Sequence, residues 1–235
     1  MEKFVTKIAV VFLILAISAT AYSLDINVEV AAKLKADFPN MQFSAINETP
    51  VRGVYEIVSN TNIIYYAPET GNLIFGEIWG KDGKSFTDIA RKKNMSSKLS
   101  SLPLEKAVKI GNGKNIIIEV TDPDCPFCRK ATDFFAKRND VTRYVFFLPL
   151  KKLHPNAEKK SRFILSSKDQ VQAYKDVMSG KYDQDNSLPV FSDNNIVQEH
   201  LEVAAMLGVK GTPNFWINGT HVGGADFTAI EKLLN

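Results

Sequence analysis

Three kinds of hydrophobic pattern follow one another along the chain. Near the start, Ile8 to Ile17 is an unbroken apolar run of ten residues, preceded by Lys3 and Lys7 and followed by Ser18, Ala19, Thr20 and Ala21. A short basic region, an apolar stretch and then small residues are the layout of a secretory signal peptide. Ala19 and Ala21 fit cleavage before Tyr22, and cleavage after Ser23 fits nearly as well. The alternative, an uncleaved anchor, is disfavoured because a spanning helix needs about 20 apolar residues. From Asp25 to Asp37 the period becomes helical, with Ile26, Val30, Ala31 and Leu34 on one stripe until Phe38-Pro39-Asn40 ends it.

Residues 41–87 read as short strands. Val51–Val58 and Asn62–Tyr66 are rich in β-branched and aromatic residues, and Leu73–Trp79 is a further strand with Gly76 as a bulge. Glu69-Thr70-Gly71-Asn72 and Asp82-Gly83 supply turns. With its helix this block has only about 60 residues, which bury a modest core, so pairing with a second copy would help it. Phe86 to Lys98 is polar and basic, and Ser96-Ser97, Ser100-Ser101 and Pro103 follow, which marks a partly helical linker. The expected organisation is a signal peptide over 1–23, a small α+β domain over 24–87, a linker helix over 88–104 and a second domain over 105–235.

In that second domain the pattern is α/β. Asn115–Thr121 is a buried-type strand, Cys125–Asn139 a helix with Phe134 and Phe135 on its apolar side, and Thr142–Leu148 a second strand. Asn156–Gly180 is helical and broken near Ser166-Ser167, and Asn194–Leu207 is a helix ended by Gly208. Asn214–Ile217 and Thr220–Val222 form a hairpin across Asn218-Gly219, and Asp226 caps a last helix to Leu234. Strand–helix–strand, a helical insertion, then a hairpin and a helix is the order of a thioredoxin-like domain.

Composition narrows the function. The 235 residues are 45% hydrophobic and 23% charged, ordinary for a globular protein. A net charge of +3, from 29 basic and 26 acidic residues, gives no argument for nucleic-acid binding. Lys92-Lys93 and Lys159-Lys160 read as solvated faces. Trp79 and Trp216 read as core or cleft aromatics, and His154 as a loop residue.

The two cysteines, Cys125 and Cys128, are too few and too close for a disulfide scaffold, because a tiny loop gains least from closure. C-x-x-C opening a helix is a redox motif. Cys125 at the helix N-terminus meets unsatisfied N–H groups and the dipole, which lower its pKa, and the thiolate is the attacking species. Pro126 suits the first turn, where a missing N–H costs nothing. Cys128, one turn in, is placed to resolve a mixed disulfide. Arg129 and Lys130 favour the thiolate, while Asp122 and Asp124 oppose it and also suit turn and capping roles. A zinc site would need partners with ligand spacing, and His154, His200 and His221 lack it; haem attachment needs His where Arg129 stands. No metal or cofactor is expected.

Cys125-Pro126-Phe127-Cys128 and Gly208-Val209-Lys210-Gly211-Thr212-Pro213 resemble the periplasmic disulfide isomerases of the DsbC/DsbG family. So do Val51-Arg52-Gly53-Val54-Tyr55-Glu56, Ile64-Tyr65-Tyr66 and Gly71 to Trp79, which look like that family's cystatin-like dimerisation domain. The resemblance implies a periplasmic homodimer with a shared apolar cleft for misfolded, disulfide-containing exported proteins, kept reduced by a membrane thiol reductant like DsbD. It implies that Thr212-Pro213 is the cis-proline loop, although most X-Pro bonds are trans. Glu119, six residues before Cys125, matches a buried acid that accepts the Cys128 proton; an acid at a wet strand edge is the other reading. Unlike some members, this chain lacks cysteines for a second, structural disulfide. A dithiol oxidase and a holdase that needs neither sulfur are the competing functions.

Overall fold

The computed structural model describes residues 27–184 and 188–235. The signal-peptide segment and Ile26 of the first stripe therefore lie outside the described residues. The chain divides into two compact units between Asn94 and Met95.

The first unit opens with helix α1 (27–37) and continues into an antiparallel sheet. Its strands, β1 (Ala45–Glu48), β2 (Tyr55–Ser59), β3 (Asn62–Ala67) and β4 (Asn72–Ile74), pair in chain order. Strand alternation sorts the core. Ile57 and Tyr66 turn to the face covered by Val30 and Leu34 of α1, while Val58, Ile63 and Tyr65 turn to the other. The buried hydroxyls are partnered: Tyr66 donates to Asp37 at 2.5 Å, and Tyr65 pairs with Thr87 at 2.5 Å.

Two strand expectations in this unit fail. Residues 51–53 form a turn, because Thr49 Oγ1 donates to the Val54 carbonyl at 2.7 Å and Gly53 takes φ +76°. The strand expected to run to Trp79 stops at Ile74. Beyond it the tight Asp82-Gly83 turn wins: Trp79 bridges Ser85, and Gly80 N donates to the Lys84 carbonyl at 2.8 Å. Gly76 therefore sits in a bend rather than a bulge, and Trp79 is exposed, not core. Helix α2 spans Phe86–Ser100, so the helix expected over 88–104 begins two residues earlier and ends four residues sooner.

The second unit holds a five-stranded sheet. Its elements are β5 (Val108–Ile110), β6 (Asn115–Thr121), α3 (Pro126–Ala136), β7 (Val141–Phe147), α4 (Ala157–Ser166), α5 (Gln170–Met178), α6 (Val197–Met206), β8 (Asn214–Ile217), β9 (Thr220–Gly223) and α7 (Phe227–Leu234). Strand order is β5-β7-β6-β8-β9, with only β6 and β7 parallel. Central β6 is buried on both faces, which is why it reads as a continuous apolar run. Ile117 faces α3 and α7 through Phe135 and Ile230, whereas Ile118 and Val120 face α6 through Val203 and Leu207. Gly208 ends α6 at φ +70°, and Asn218 and Gly219, at +49° and +87°, make the hairpin turn. Short edge strand β5 was not anticipated; three residues are too few to show a period.

Candidate active site

Parallel strand β6 ends at Thr121, and the chain must turn before α3 begins. Asp122 organises that turn: its Oδ1 accepts from Asp124 N at 2.8 Å, its Oδ2 accepts from Leu150 N at 2.7 Å, and its carbonyl accepts from Cys125 N at 3.1 Å. His154 Nδ1 adds a 3.0 Å contact to the same carboxylate. Asp122 is thus the expected turn residue, fully buried. Asp124 is engaged differently, in ion pairs with Arg129 and Lys160.

Cys125 occupies the N-cap of α3 with extended backbone, and Pro126 follows at the first helical position. Both thiols are free and buried, Cys128 completely. The Cys125 thiol donates to the Thr212 carbonyl at 3.7 Å, and Cys128 Sγ accepts from Asp122 N at 3.5 Å. The Thr212-Pro213 bond is cis. The geometry therefore brings Cys125, Cys128 and the Thr212 carbonyl together from α3 and the loop before β8.

The two sulfurs differ electrically. Hydrogen bonding from the Cys128 thiol, then from backbone N–H groups and Thr212, pulls Cys125 down to about 5 against the effect of burial. Burial pushes Cys128 far up, and its hydrogen bond to Cys125 adds to that. Even at a partly buried site a helix terminus supplies only about 2 kcal/mol, short of what a fall to about 5 requires at about 1.4 kcal/mol for each tenfold change. The backbone N–H groups expected from the sequence are among the causes, but the largest is the hydrogen bond from Cys128, which the sequence did not suggest.

Glu119 lies on β6, buried, not at a wet strand edge. Its Oε2 accepts from Arg143 Nε at 2.9 Å and Nη2 at 2.6 Å, while its Oε1 has no hydrogen-bond partner among the described residues. Arg143 Nη2 also donates to Tyr174 Oη at 2.8 Å; Tyr174 pairs with Thr132 at 2.7 Å, and Thr132 donates to the Cys128 carbonyl at 3.1 Å. A buried polar chain thus runs from Glu119 to the helix that carries the dithiol.

Sequence reasoning missed Arg143 and Lys160. Lys160 is buried, not on a solvated face. A signal existed: Ala157, Lys160, Ser161 and Ile164 fall at helical spacing and all are buried. Arg143 likewise sits in phase with Val141, Val145 and Phe147 on alternate positions of β7. Among the described residues no cluster of His, Cys, Asp or Glu could hold a metal, and no helix is long and apolar enough to cross a membrane.

Residues 102–235 match the family model of a thioredoxin-like domain, and residues 19–88 match that of the disulfide bond isomerase protein N-terminal domain. The thiol:disulfide interchange protein DsbC of Escherichia coli K12 is 31% identical over 186 residues, covering 77% of this chain and 76% of that protein. Its namesake in Salmonella typhimurium LT2 is 28% identical over 186 residues, with the same coverage of 77% and 76%. A solved structure of a disulfide interchange protein from Neisseria gonorrhoeae is 32% identical over 57% of this chain and 96% of that one, at a TM-score of 0.49. On its two matched domains and its similarity to the Escherichia coli protein, the chain belongs to the DsbC family of thiol:disulfide interchange proteins and is a thiol–disulfide oxidoreductase with isomerase function.

Proposed function

We propose that this chain acts in the periplasm as a homodimeric isomerase and reductase of misfolded exported proteins, with Cys125 as its attacking sulfur. One observation carries the reading: Cys125, its pKa lowered, stands at the N-cap position of α3 with its sulfur 3.7 Å from the Thr212 carbonyl. In isomerisation the Cys125 thiolate attacks one sulfur of a wrong disulfide. A mixed disulfide forms and a substrate thiolate leaves. Substrate thiolates then attack other substrate disulfides, and the last displaces Cys125, so no electrons are gained or lost.

In the reductive branch Cys128 loses its proton and attacks the mixed disulfide. The substrate leaves as a dithiol with two more electrons, and Cys125–Cys128 becomes a disulfide. A DsbD-like membrane thiol reductant returns those two electrons by the same exchange. The raised pKa of Cys128 calls for a base, and Glu119 fills that role through its unpartnered Oε1. The Thr212 carbonyl and Pro213 line the position for an extended substrate segment; Pro213 has no N–H to leave unsatisfied there. Residues 24–87 pair two copies, 88–104 link, and 105–235 carry the chemistry, after removal of the signal peptide over 1–23.

The test is refolding of a scrambled multi-disulfide protein with wild type, Cys125→Ser and Cys128→Ser. Cys125→Ser should be inactive, and Cys128→Ser should accumulate a mixed disulfide with substrate. Activity surviving in Cys125→Ser would make the protein a holdase instead. An equilibrium potential near about −120 mV, the strongly oxidising end of the range, would make it a dithiol oxidase.

A further inference from the structure

Four charged side chains close a ring beside the active-site turn. Arg129, in the first turn of α3, donates Nε to the Pro123 carbonyl at 2.9 Å and forks onto Asp183, Nη1 to Oδ2 at 2.5 Å and Nη2 to Oδ1 at 2.8 Å. Its Nη2 also reaches Asp124 Oδ1 at 3.0 Å. Lys160, buried on α4, joins the same carboxylates, at 2.5 Å to Asp124 and 2.6 Å to Asp183. Two cations meet two carboxylates, and the ring is neutral.

The backbone is shaped to deliver Asp183. Gly180 takes φ +83°, and a Cβ there would meet Asp183 Oδ2 at 2.9 Å. Asp183 N donates to the Gly180 carbonyl at 3.1 Å, closing the turn after α5. Arg129, and then Lys160, hold the Asp183 carboxyl down at about 2, so it is charged wherever the enzyme works.

None of the four side chains carries sulfur or proton in the exchange cycle, yet Arg129 follows Cys128 directly and donates its backbone N–H to the Cys125 carbonyl at 3.1 Å. An uncompensated cation at that place favours the thiolate and hence the reduced pair. The causes that lower Cys125 are hydrogen bonds, with no charged side chain among them. Of the other charges on this turn and helix, Lys130 lies over the Phe127 ring at 5.6 Å, Asp122 is engaged by Leu150 and His154, and Asp133 lies further along α3.

We propose that Asp183 is a positioning residue that cancels the charge of Arg129 beside the dithiol, holds the reduction potential of the pair down, and thereby ties the inserted helices to the redox poise of the active site. This rests on Cys125 being the attacking sulfur. The experiment is equilibration with glutathione, where Cys125 attacks oxidised glutathione, Cys128 displaces the second half, and two electrons leave on two glutathione thiols. Asp183→Asn gives the ring a charge of +1 and should favour the dithiol; Lys160→Met gives −1 and should favour the disulfide. Shifts of about twofold to tenfold in the equilibrium constant are expected, in opposite directions, because a unit charge near a protein surface acts through an effective dielectric between those of water and the interior. The double variant should return to the wild-type value; should either single variant fold poorly, Asp124→Asn repeats the +1 of Asp183→Asn and Arg129→Met repeats the −1 of Lys160→Met. At about 1 M salt the single shifts should shrink. A merely structural ring would lower Tm in both single variants without opposed redox shifts. That outcome, or shifts of one sign, overturns the proposal while the wild type still exchanges disulfides. An active Cys125→Ser would instead overturn the reading beneath it.

Discussion

Arg143 and Glu119 meet inside the protein, with two guanidinium nitrogens, Nε at 2.9 Å and Nη2 at 2.6 Å, on a single carboxylate oxygen. They come from neighbouring parallel strands, where Glu119 is opposite Val145 and Arg143 opposite Ile117. The rings of Phe135 and Tyr174 flank the guanidinium at 4.9 and 5.5 Å. Such a pair adds little over a well-packed apolar pair, but breaking it strands a charge. Arg143→Met should lower stability by about 3–5 kcal/mol, read by urea unfolding. Adding Glu119→Gln should restore part of that loss, because the stranded charge goes with it. A loss below about 1 kcal/mol in the single variant would mean that the Glu119 charge is compensated elsewhere.

The sulfur pair makes a pH prediction of its own. Cys125 is ionised above about 5, so its alkylation rate should be flat from neutral pH down to mildly acidic pH and fall only below that. Hydrogen bonding from Cys128 is the largest cause, so Cys128→Ala should move the midpoint upward. Stability follows the same sign. The folded pKa is depressed, so the contribution is full above an unfolded thiol's value of about 8.5 and is lost as pH falls through about 5. A wild-type midpoint at the free-thiol value would remove the basis for Cys125 as attacker.

Much of the second unit was legible because its signals are local. C-x-x-C with proline between, a glycine after α6 and Asn-Gly in a hairpin each fix a backbone geometry within a few residues, and the structure has all three. The N-terminal unit was less legible. Leu73 to Trp79 is apolar enough for one strand, and only competition with the hairpin around Gly83 decides where it ends. The polar chain through Arg143, Tyr174 and Thr132 was invisible for another reason. Its members are far apart in sequence, and nothing local says which buried charge meets which.

His200 gives a second pH effect, unrelated to catalysis. It is fully buried on α6, its Nδ1 accepting from Phe147 N at 3.0 Å and its Nε2 lying 3.0 Å from the Lys106 carbonyl. Those partners require a neutral ring protonated on Nε2. Burial pulls its pKa down to about 4. An unfolded chain binds that proton near about 6.5, so acid favours unfolding first. The neutral ring's contribution is full above about 6.5 and is lost as pH falls through about 4, amounting to about 3 kcal/mol. Urea midpoints should fall across this window in wild type and fall less in His200→Gln; equal slopes would show that other groups set the acid sensitivity.

Dimerisation can be tested on the surface of the N-terminal unit. Phe75 and Trp79 are 75% and 60% exposed, and Ile74 and Ile89 are also exposed, in a unit whose own core is two small clusters. Single exposed apolar residues are ordinary, but this many large ones in so small a unit are expected where a partner covers them. Phe75→Glu with Trp79→Glu would place charges against apolar surface in a dimer, and should weaken association at least about tenfold by sedimentation. The proposed site for reducing a small disulfide lies wholly in the second unit, so that activity should persist in the variant while isomerisation of a scrambled protein declines. A wild type that sediments as a monomer at every concentration would remove the homodimer. A dimer unmoved by both charges would place its contacts on other residues, because two carboxylates buried at an interface without partners oppose association strongly.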